Sequence, residues 1–316
     1  MLLTDRVYHD MFEAILRGRF LPGQKFLTEQ EAIDLYHVSR ITVRRAFAML
    51  EAKHVIRRRQ KVGSIVNTAF AASDGALECI AAVVPLKSRF VRSFLAALCG
   101  EAASRNIITV LEPAASGAAQ NEALIRLVLH GIRDIIVWGI DRQLDMDLCL
   151  RLRILGVNLT FFDQINPGKI ADYVCLDHRD AVLSLLNEAA KQGVENIFFA
   201  DSENPDVDTN RERYRFCREE CAGRGWNFFE TLPERFPPKS AIMAVNDEVA
   251  LRLPECHVPV FSIDGQEESR SRGIVSYRQP MRELAQTCFR SLFQQRKLGA
   301  QWQAREYRLK NRDPFA

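Results

Sequence analysis

The sequence predicts a winged helix-turn-helix module of α+β class followed by a two-lobed α/β domain, and three observations carry that prediction. Residues 28–66 read as a capped helix, a turn, a cationic helix and a basic hairpin. From residue 79 onward, strand-like and helix-like segments alternate, and the strands are continuously apolar. Charge is divided between the parts. Residues 1–66 hold 12 Lys+Arg against 7 Asp+Glu and the remainder 31 against 33, so a net of +5 sits on the small module and −2 on the rest.

Within the module, Thr28 followed by Glu31 is a capping box, which starts a helix at Thr28. Its apolar positions Ala32, Ile33 and Leu35 are expected to face inward, and it ends near Tyr36. Ser39 is a good N-cap for the next helix, in which Val43, Phe47 and Leu50 fall at i, i+4 and i+7 and form a buried stripe. Arg40, Arg44 and Ala48 lie on another side, with Ile41 and Arg45 beside them, so the cationic face points away from the core. A guanidinium suits such a face because its planar fork grips guanine O6 and N7, or a phosphate, with two hydrogen bonds. Val55-Ile56 and Ile65-Val66 read as short strands. Arg57, Arg58, Arg59 and Lys61 load their connection with charge, and Gly63 supplies a turn. A wing of this kind lies along phosphates or enters a minor groove. A charge run alone would equally suit a solvated face. Here cap spacing, apolar period and charge placement agree, which favours double-stranded DNA as the partner.

Residues 68–78, small, polar and weakly patterned, read as a linker between a module at 1–67 and a domain at 79–316. In that domain strands are expected at 79–85, 107–113, 134–139, 158–163, 173–177, 196–201, 241–245 and 258–264. Helices are expected at 91–104, 120–130, 144–155, 180–192, 211–223, from 247, and at 281–297. Continuous apolar strands joined by helices imply parallel sheets covered on both faces. Some 240 residues are too many for a single sheet, which favours two lobes. Neither GxGxxG nor GxxxxGK[ST] follows any strand, which argues against a dinucleotide enzyme or an NTPase.

Eight cysteines are scattered without a CxxC pair. Cys217 and Cys221 can share a helix face, but no His accompanies them at metal-ligand spacing, so inert thiols in a reducing compartment are expected. The N-terminus, MLLTDRVYHD, turns charged at once, and no apolar run nears membrane-spanning length. A cytoplasmic protein without signal peptide or membrane partner is expected. Six scattered His residues supply no recognisable nucleophile–base pair, so neither an enzyme nor a cofactor is expected.

The segments LRGRFLPGQKFLTEQEAI, VSRITVRRAFAMLEAKHVIRRRQ and VGSIV resemble the DNA-binding domain of the GntR (gluconate-repressor) family of bacterial regulators over residues 1–66. The resemblance implies DNA contacts at Ser39, Arg40, Thr42, Arg44 and Gly63. With the basic positions around them, the residues expected at DNA are Thr28, Gln30, Ser39, Arg40, Thr42, Arg44, Arg45, Arg58, Lys61 and Gly63. The family often has Arg where this chain has Gln30, and usually Gly where it has Lys61. One contact is therefore expected to be weaker here and the wing tip stiffer and more basic.

IAAVVP, GIRDIIVWG, GVNLTFFD, YVCLDHRDAV, MAVNDEVAL and VSYRQPMRELAQ, with a tail EYRLKNRD, resemble the effector domain of lactose-repressor-type regulators, which share the periplasmic-binding-protein-like fold. A GntR-type reader joined to such a domain is the arabinose-repressor-type arrangement. That resemblance implies two lobes crossed by three strands, with a small sugar or sugar derivative in the cleft. The positions it implies are Phe90 and Trp138 for stacking on a sugar face, Asp163 for accepting hydroxyls, Asn246, Gln279, and either Arg211 or Arg213. Core packing is the competing role for Trp138, helix capping for Asp163 and Asn246, and simple solvation for either arginine. Two departures stand out. Gly265 occupies the position where the family usually has a ligand-binding Asp. The loop PLKSRF lacks an acid and brings Lys87 and Arg89. Both tilt the expected ligand toward a sugar acid or phosphosugar.

The expected function is a DNA-binding transcriptional regulator, a homodimeric repressor controlled by such an effector. A regulator whose degenerate effector domain serves only dimerisation, and a cytoplasmic solute-binding protein, remain the alternatives.

Overall fold

The computed structural model describes residues 2–60, 62–68, 76–85, 89–201 and 207–315. Helix α1 (Leu3–Leu16) opens the chain with Val7, Met11, Phe12 and Ile15 on its buried face. Helix α2 (Glu29–Tyr36) starts at the capping box: the Glu31 amide donates to Thr28 Oγ1 at 3.2 Å, and the Thr28 amide to Glu31 Oε2 at 2.7 Å. Those bonds, the one from the Thr28 backbone foremost, hold the exposed Glu31 carboxyl below its ordinary range. Helix α3 (Arg40–Ala52) is capped by Ser39, whose Oγ accepts from the Thr42 amide at 3.2 Å. Its Val43, Ala46, Phe47 and Leu50 are buried. Strands β1 (Ile56–Arg59) and β2 (Gly63–Val66) form an antiparallel ribbon pairing Ile56 with Val66 and Arg59 with Gly63.

Two details of this module differ from expectation. Leu35 is 59% exposed rather than inward, because an eight-residue helix buries a narrow stripe and Ala32 fills it. Arg57, Arg58 and Arg59 belong to strand β1 rather than to its connection, so successive guanidinium groups leave opposite faces of the ribbon.

The second domain comprises β3 (Cys79–Val84), α4 (Arg89–Ser104), β4 (Ile108–Pro113), α5 (Gly117–Leu129), β5 (Asp134–Val137), α6 (Met146–Ile154), β6 (Asn158–Phe162) and β7 (Asp172–Leu176) in one lobe. The other lobe holds α7 (His178–Lys191), β8 (Asn196–Ala200), α8 (Asp208–Arg224), β9 (Asn227–Phe229), β10 (Ser240–Ala244), α9 (Asp247–Arg252), β11 (Val260–Asp264), α10 (Glu267–Ser271) and β12 (Val275–Arg278). Helix α11 (Met281–Leu298) and strand β13 (Glu306–Leu309) return to the first lobe. Lobe one is a six-stranded parallel sheet ordered β13-β7-β6-β5-β3-β4, and lobe two a five-stranded parallel sheet ordered β12-β11-β10-β8-β9. β9, α10, β12 and β13 are additions to the predicted elements. At three to five residues each they are too short to show a period.

The chain crosses between lobes three times. It leaves lobe one after β7, re-enters it between β12 and α11, and leaves again after β13, where the Arg278 amide donates to Pro314 O at 2.8 Å. Buried polar bonds fix α11 to lobe one. Gln295 Nε2 donates to Leu159 O at 2.9 Å, Ser291 Oγ to Asp172 Oδ2 at 2.7 Å, and Arg296 pairs with Asp134 at 2.6 Å. The C-terminal ends of β3, β5 and β6 thus face those of β8, β10 and β11 across a cleft, where α/β sheets bind ligands.

Candidate functional site

The first candidate surface is α3 with the wing. Arg40, Ile41, Arg44, Arg45 and Ala48 are all exposed on one side of α3. Among the described residues Arg40 and Arg45 make no ion pair, whereas Arg44 Nε reaches Glu29 at 3.0 Å and Arg58 reaches Glu51 at 3.3 Å. Gln30 is tied to Asp34 at 2.9 Å, and Ser39 and Thr42 share a 2.9 Å hydroxyl contact within the cap. Thr28 likewise serves the cap of α2. Gly63 has φ +95° with open space around it, so its backbone rather than its surroundings requires glycine. Lys61 lies outside the described residues.

The second is the interlobe cleft, a cavity of about 230 Å³. Asp163, Arg213 and Asp264 converge there with Asn210 and Asn246. Arg213 is 4% exposed and donates to Val245 O at 2.9 Å and to His178 Nδ1 at 3.2 Å. Arg211 points to solvent and pairs with Asp208, which resolves the choice between the two arginines by geometry. Burial pushes Asp163 up to about 6, with Arg213 pulling the other way. Its φ of +61° is one that Asp tolerates, and Tyr173 OH donates to its carbonyl, so it turns into the cleft instead of capping a helix. Asn246 does cap α9, accepting from the Val249 amide at 2.9 Å, while also lining the cleft. Gln279 is buried at the lobe crossing and donates to Asp264 Oδ1 at 3.0 Å.

Two expectations are corrected here. Trp138 is 1% exposed, packed edge-on among Phe90, Phe94 and Phe162, so its face is not open for stacking; it forms the cleft floor. Phe90 lines the cleft beside it. The acid thought to be missing at Gly265 stands one residue earlier: Asp264 ends β11 inside the cleft, and burial pushes its carboxyl well above the usual range. Gly265 has φ +69°, and a Cβ there would lie 2.4 Å from Arg278 Cα, so no side chain fits. Gly265→Ala is therefore expected to cost about 2–4 kcal/mol by strain and overpacking. Denaturant unfolding checks this, and a loss below about 0.5 kcal/mol, the scale of a neutral surface change, would contradict it. The acid was legible as the polar end of an apolar strand. Lys87 and the Arg89 side chain, which had suggested an anionic ligand, lie outside the described residues.

Side-chain atoms left without partners bear on the ligand. Asp163 Oδ1 and Gln279 Oε1 are buried acceptors, and Trp138 Nε1 is a buried donor. At the cleft, where Asp163 and Trp138 line the cavity, a ligand hydroxyl can donate to the first and accept from the second. A larger cavity, about 980 Å³, lies at the opposite end of lobe two among proline-rich loops whose charged residues are all exposed, and it lacks convergent buried polar groups.

A basic winged helix joined to a hinged two-lobed α/β domain defines the class of architecture. Residues 3–66 match the family model "Bacterial regulatory proteins, gntR family", so the N-terminal module is a domain of that family. The probable fructoselysine utilization operon transcriptional repressor of Escherichia coli (strain K12) is 38% identical over 77 residues, 22% of this chain and 32% of that protein. The chain thus spans about a third of the length of the curated relatives it matches. The two-lobed domain has the fold of LacI-family regulators. One from Enterococcus faecium, solved with bound ribose, superposes with TM-score 0.59 at 18% identity over 73% of this chain and 95% of its own. The trehalose repressor from Escherichia coli superposes with TM-score 0.61 at 15% identity over 74% and 98%.

Proposed function

We propose that the protein is a DNA-binding transcriptional regulator, acting as a repressor, whose cleft takes a neutral, polyhydroxylated, sugar-like effector. A reader at 1–67, a linker at 68–78 and an effector domain at 79–316 belong to the same proposal, as does a cytoplasmic location. No described helix is long and apolar enough to cross a membrane. The observation that carries the regulator reading is the exposed guanidinium face of α3 beside a basic wing, on a domain of a regulator family. The relatives it resembles are named as regulators, and the reading assigns no catalysis.

Mobility shift of the whole chain on genomic fragments, followed by a thermal-shift screen of sugars, sugar acids and phosphosugars, tests both halves. Failure to select any DNA sequence would sink the reader; stabilisation by acids alone would sink the effector class. Dimerisation is part of the proposal, since one winged helix reads few base pairs and two-fold proteins read two-fold sites. Strand β4, the free edge of lobe one with Ile108 and Leu111 exposed, supports a contact with a second copy. Sedimentation of the operator complex checks this, and a monomer there would refute it.

A pH dependence follows from Asp163. Its folded value of about 6 exceeds the unfolded carboxylate value of roughly 3.9, so burying its charge costs nothing below about pH 4 and progressively more up to about pH 6. An effector whose hydroxyls donate to the carboxylate binds the ionised form. Its affinity is therefore expected to rise about tenfold from roughly pH 5 to pH 7, and Asp163→Asn to flatten that rise. Calorimetric titration with the sugar found by the screen measures this; equal slopes in both proteins would exclude Asp163 as the acceptor.

A further inference from the structure

Helix α1 of the N-terminal module is docked on lobe one, against α5 and α6. Met11, Phe12 and Ile15 of α1 belong to one continuous buried cluster with Leu124 and Leu127 of α5 and Leu148 and Leu152 of α6. Polar bonds give this apolar contact a fixed register. Arg17, the C-cap of α1, grips Glu122 of α5 with two bonds, Nη1 to Oε1 at 2.8 Å and Nη2 to Oε2 at 2.7 Å. Arg151 of α6 donates to Leu16 O at 3.0 Å, its guanidinium lying 3.3 Å from where a Cβ on Gly18 would stand.

The first turns of α5 are bonded, in turn, to the segment 138–145 that joins β5 to α6. Gln120, fully buried, donates to Trp138 O at 2.6 Å and accepts from the Ile140 amide at 3.1 Å. Asn121 donates to Gln143 O at 2.9 Å and accepts from the Asp145 amide at 2.8 Å. The Gly117 amide donates to Asp141 at 3.1 Å, and a Cβ at Gly117 would fall 2.3 Å from the Leu144 nitrogen, so helix and segment are packed backbone to backbone. The same segment faces the cleft. Trp138 and Ile140 line it, and Arg142 lies 3.8 Å from Asp208, the first residue of α8 in lobe two. Asp208 also touches the rim of lobe one, its amide donating to Gln164 O at 3.1 Å and its carboxylate accepting from the Asn166 amide at 3.2 Å.

We propose that segment 138–145 and helix α5 form a mechanical relay that transmits lobe closure, sensed through Asp208, to the orientation of the N-terminal module through the Glu122–Arg17 clamp. Packed elements with two arrangements carry coupling in this way when both sites bias them. The relay rests on the proposed effector-binding repressor for its biological meaning, but it is tested without DNA or effector, so either can fail alone.

The test is hydrogen exchange by mass spectrometry on the full chain, read in the peptides of α1. Glu122→Arg removes the clamp at the module end and Asp208→Asn the contact at the cleft end. Each is expected to speed α1 exchange about two- to five-fold, the range for losing an exposed charge pair. Because they act on one relay, Asp208→Asn should add nothing in the Glu122→Arg background, and Arg17→Glu combined with Glu122→Arg, with Glu13→Gln to remove the other carboxylate that Arg17 pairs with at 2.7 Å, should restore both slow exchange and the response to Asp208→Asn. Multiplicative effects in the double variant, no α1 response to Asp208→Asn, or charge reversal without restoration would each overturn the proposal. Unaltered exchange in the core strands of lobe two is the control that the single variants are folded.

Discussion

Arg213→Met is expected to destabilise the protein by about 3–5 kcal/mol near neutral pH, the range for removing one partner of a buried charge group. The methionine keeps most of the volume but removes the bonds to Val245 O and His178 Nδ1, and it leaves Asp163 and Asp264 without their shared cation. Both carboxyls already sit above their ordinary range because of burial, and losing Arg213 raises them further. The sign of the pH dependence follows. Where both acids are protonated the missing cation matters little, so the deficit of the variant should shrink as pH falls below about 6 and widen above it. Urea unfolding at about pH 5 and about pH 7.5 reads this directly, with m-values confirming the same folded state. A deficit under about 1 kcal/mol at the higher pH, no more than an ordinary surface change, would mean that the three charges are not one group. Effector stabilisation should be lost in the same variant.

Arg40→Ala combined with Arg44→Ala is expected to reduce specific operator affinity by about 1–3 kcal/mol per guanidinium that reads a base, so that the pair loses roughly two to four orders of magnitude. Among the described residues Arg40 makes no ion pair, whereas Arg44 must exchange Glu29 for DNA, so Arg40 should carry the larger share. Arg58→Ala should instead weaken binding to all sequences and flatten the salt dependence. Fluorescence anisotropy against operator and scrambled duplexes separates the two behaviours. Unchanged operator affinity in the double variant would remove α3 from the interface.

The N-terminal module was readable because its signals are local. The Thr28–Glu31 box, the Ser39 cap and the Val43–Phe47–Leu50 stripe are set by neighbours within one or two helical turns, and backbone geometry turns such spacing into structure. The sheets were readable for a related reason, since continuous apolar strands need cover on both faces. The cleft was read less well. The sequence points to position 265 rather than Asp264 because a one-residue shift at a strand end changes which side chain enters the site. Only the close approach of the Arg278 backbone shows that residue 265 must lack one. The arginines at 211 and 213 are two positions apart on one helix, and burial against Val245 and His178 separates them.

By itself the sequence determined the order of elements, the cationic face of α3 and the parallel two-lobed plan, because each follows from local spacing or from the polarity of a whole segment. Only the tertiary structure decided that Trp138 is floor rather than platform, that Asp163, Arg213 and Asp264 form one charge group, and that α1 rests on α5. Those are contacts between residues up to about a hundred positions apart. Their formation depends on how the packed lobes meet, which no periodicity within a single segment encodes.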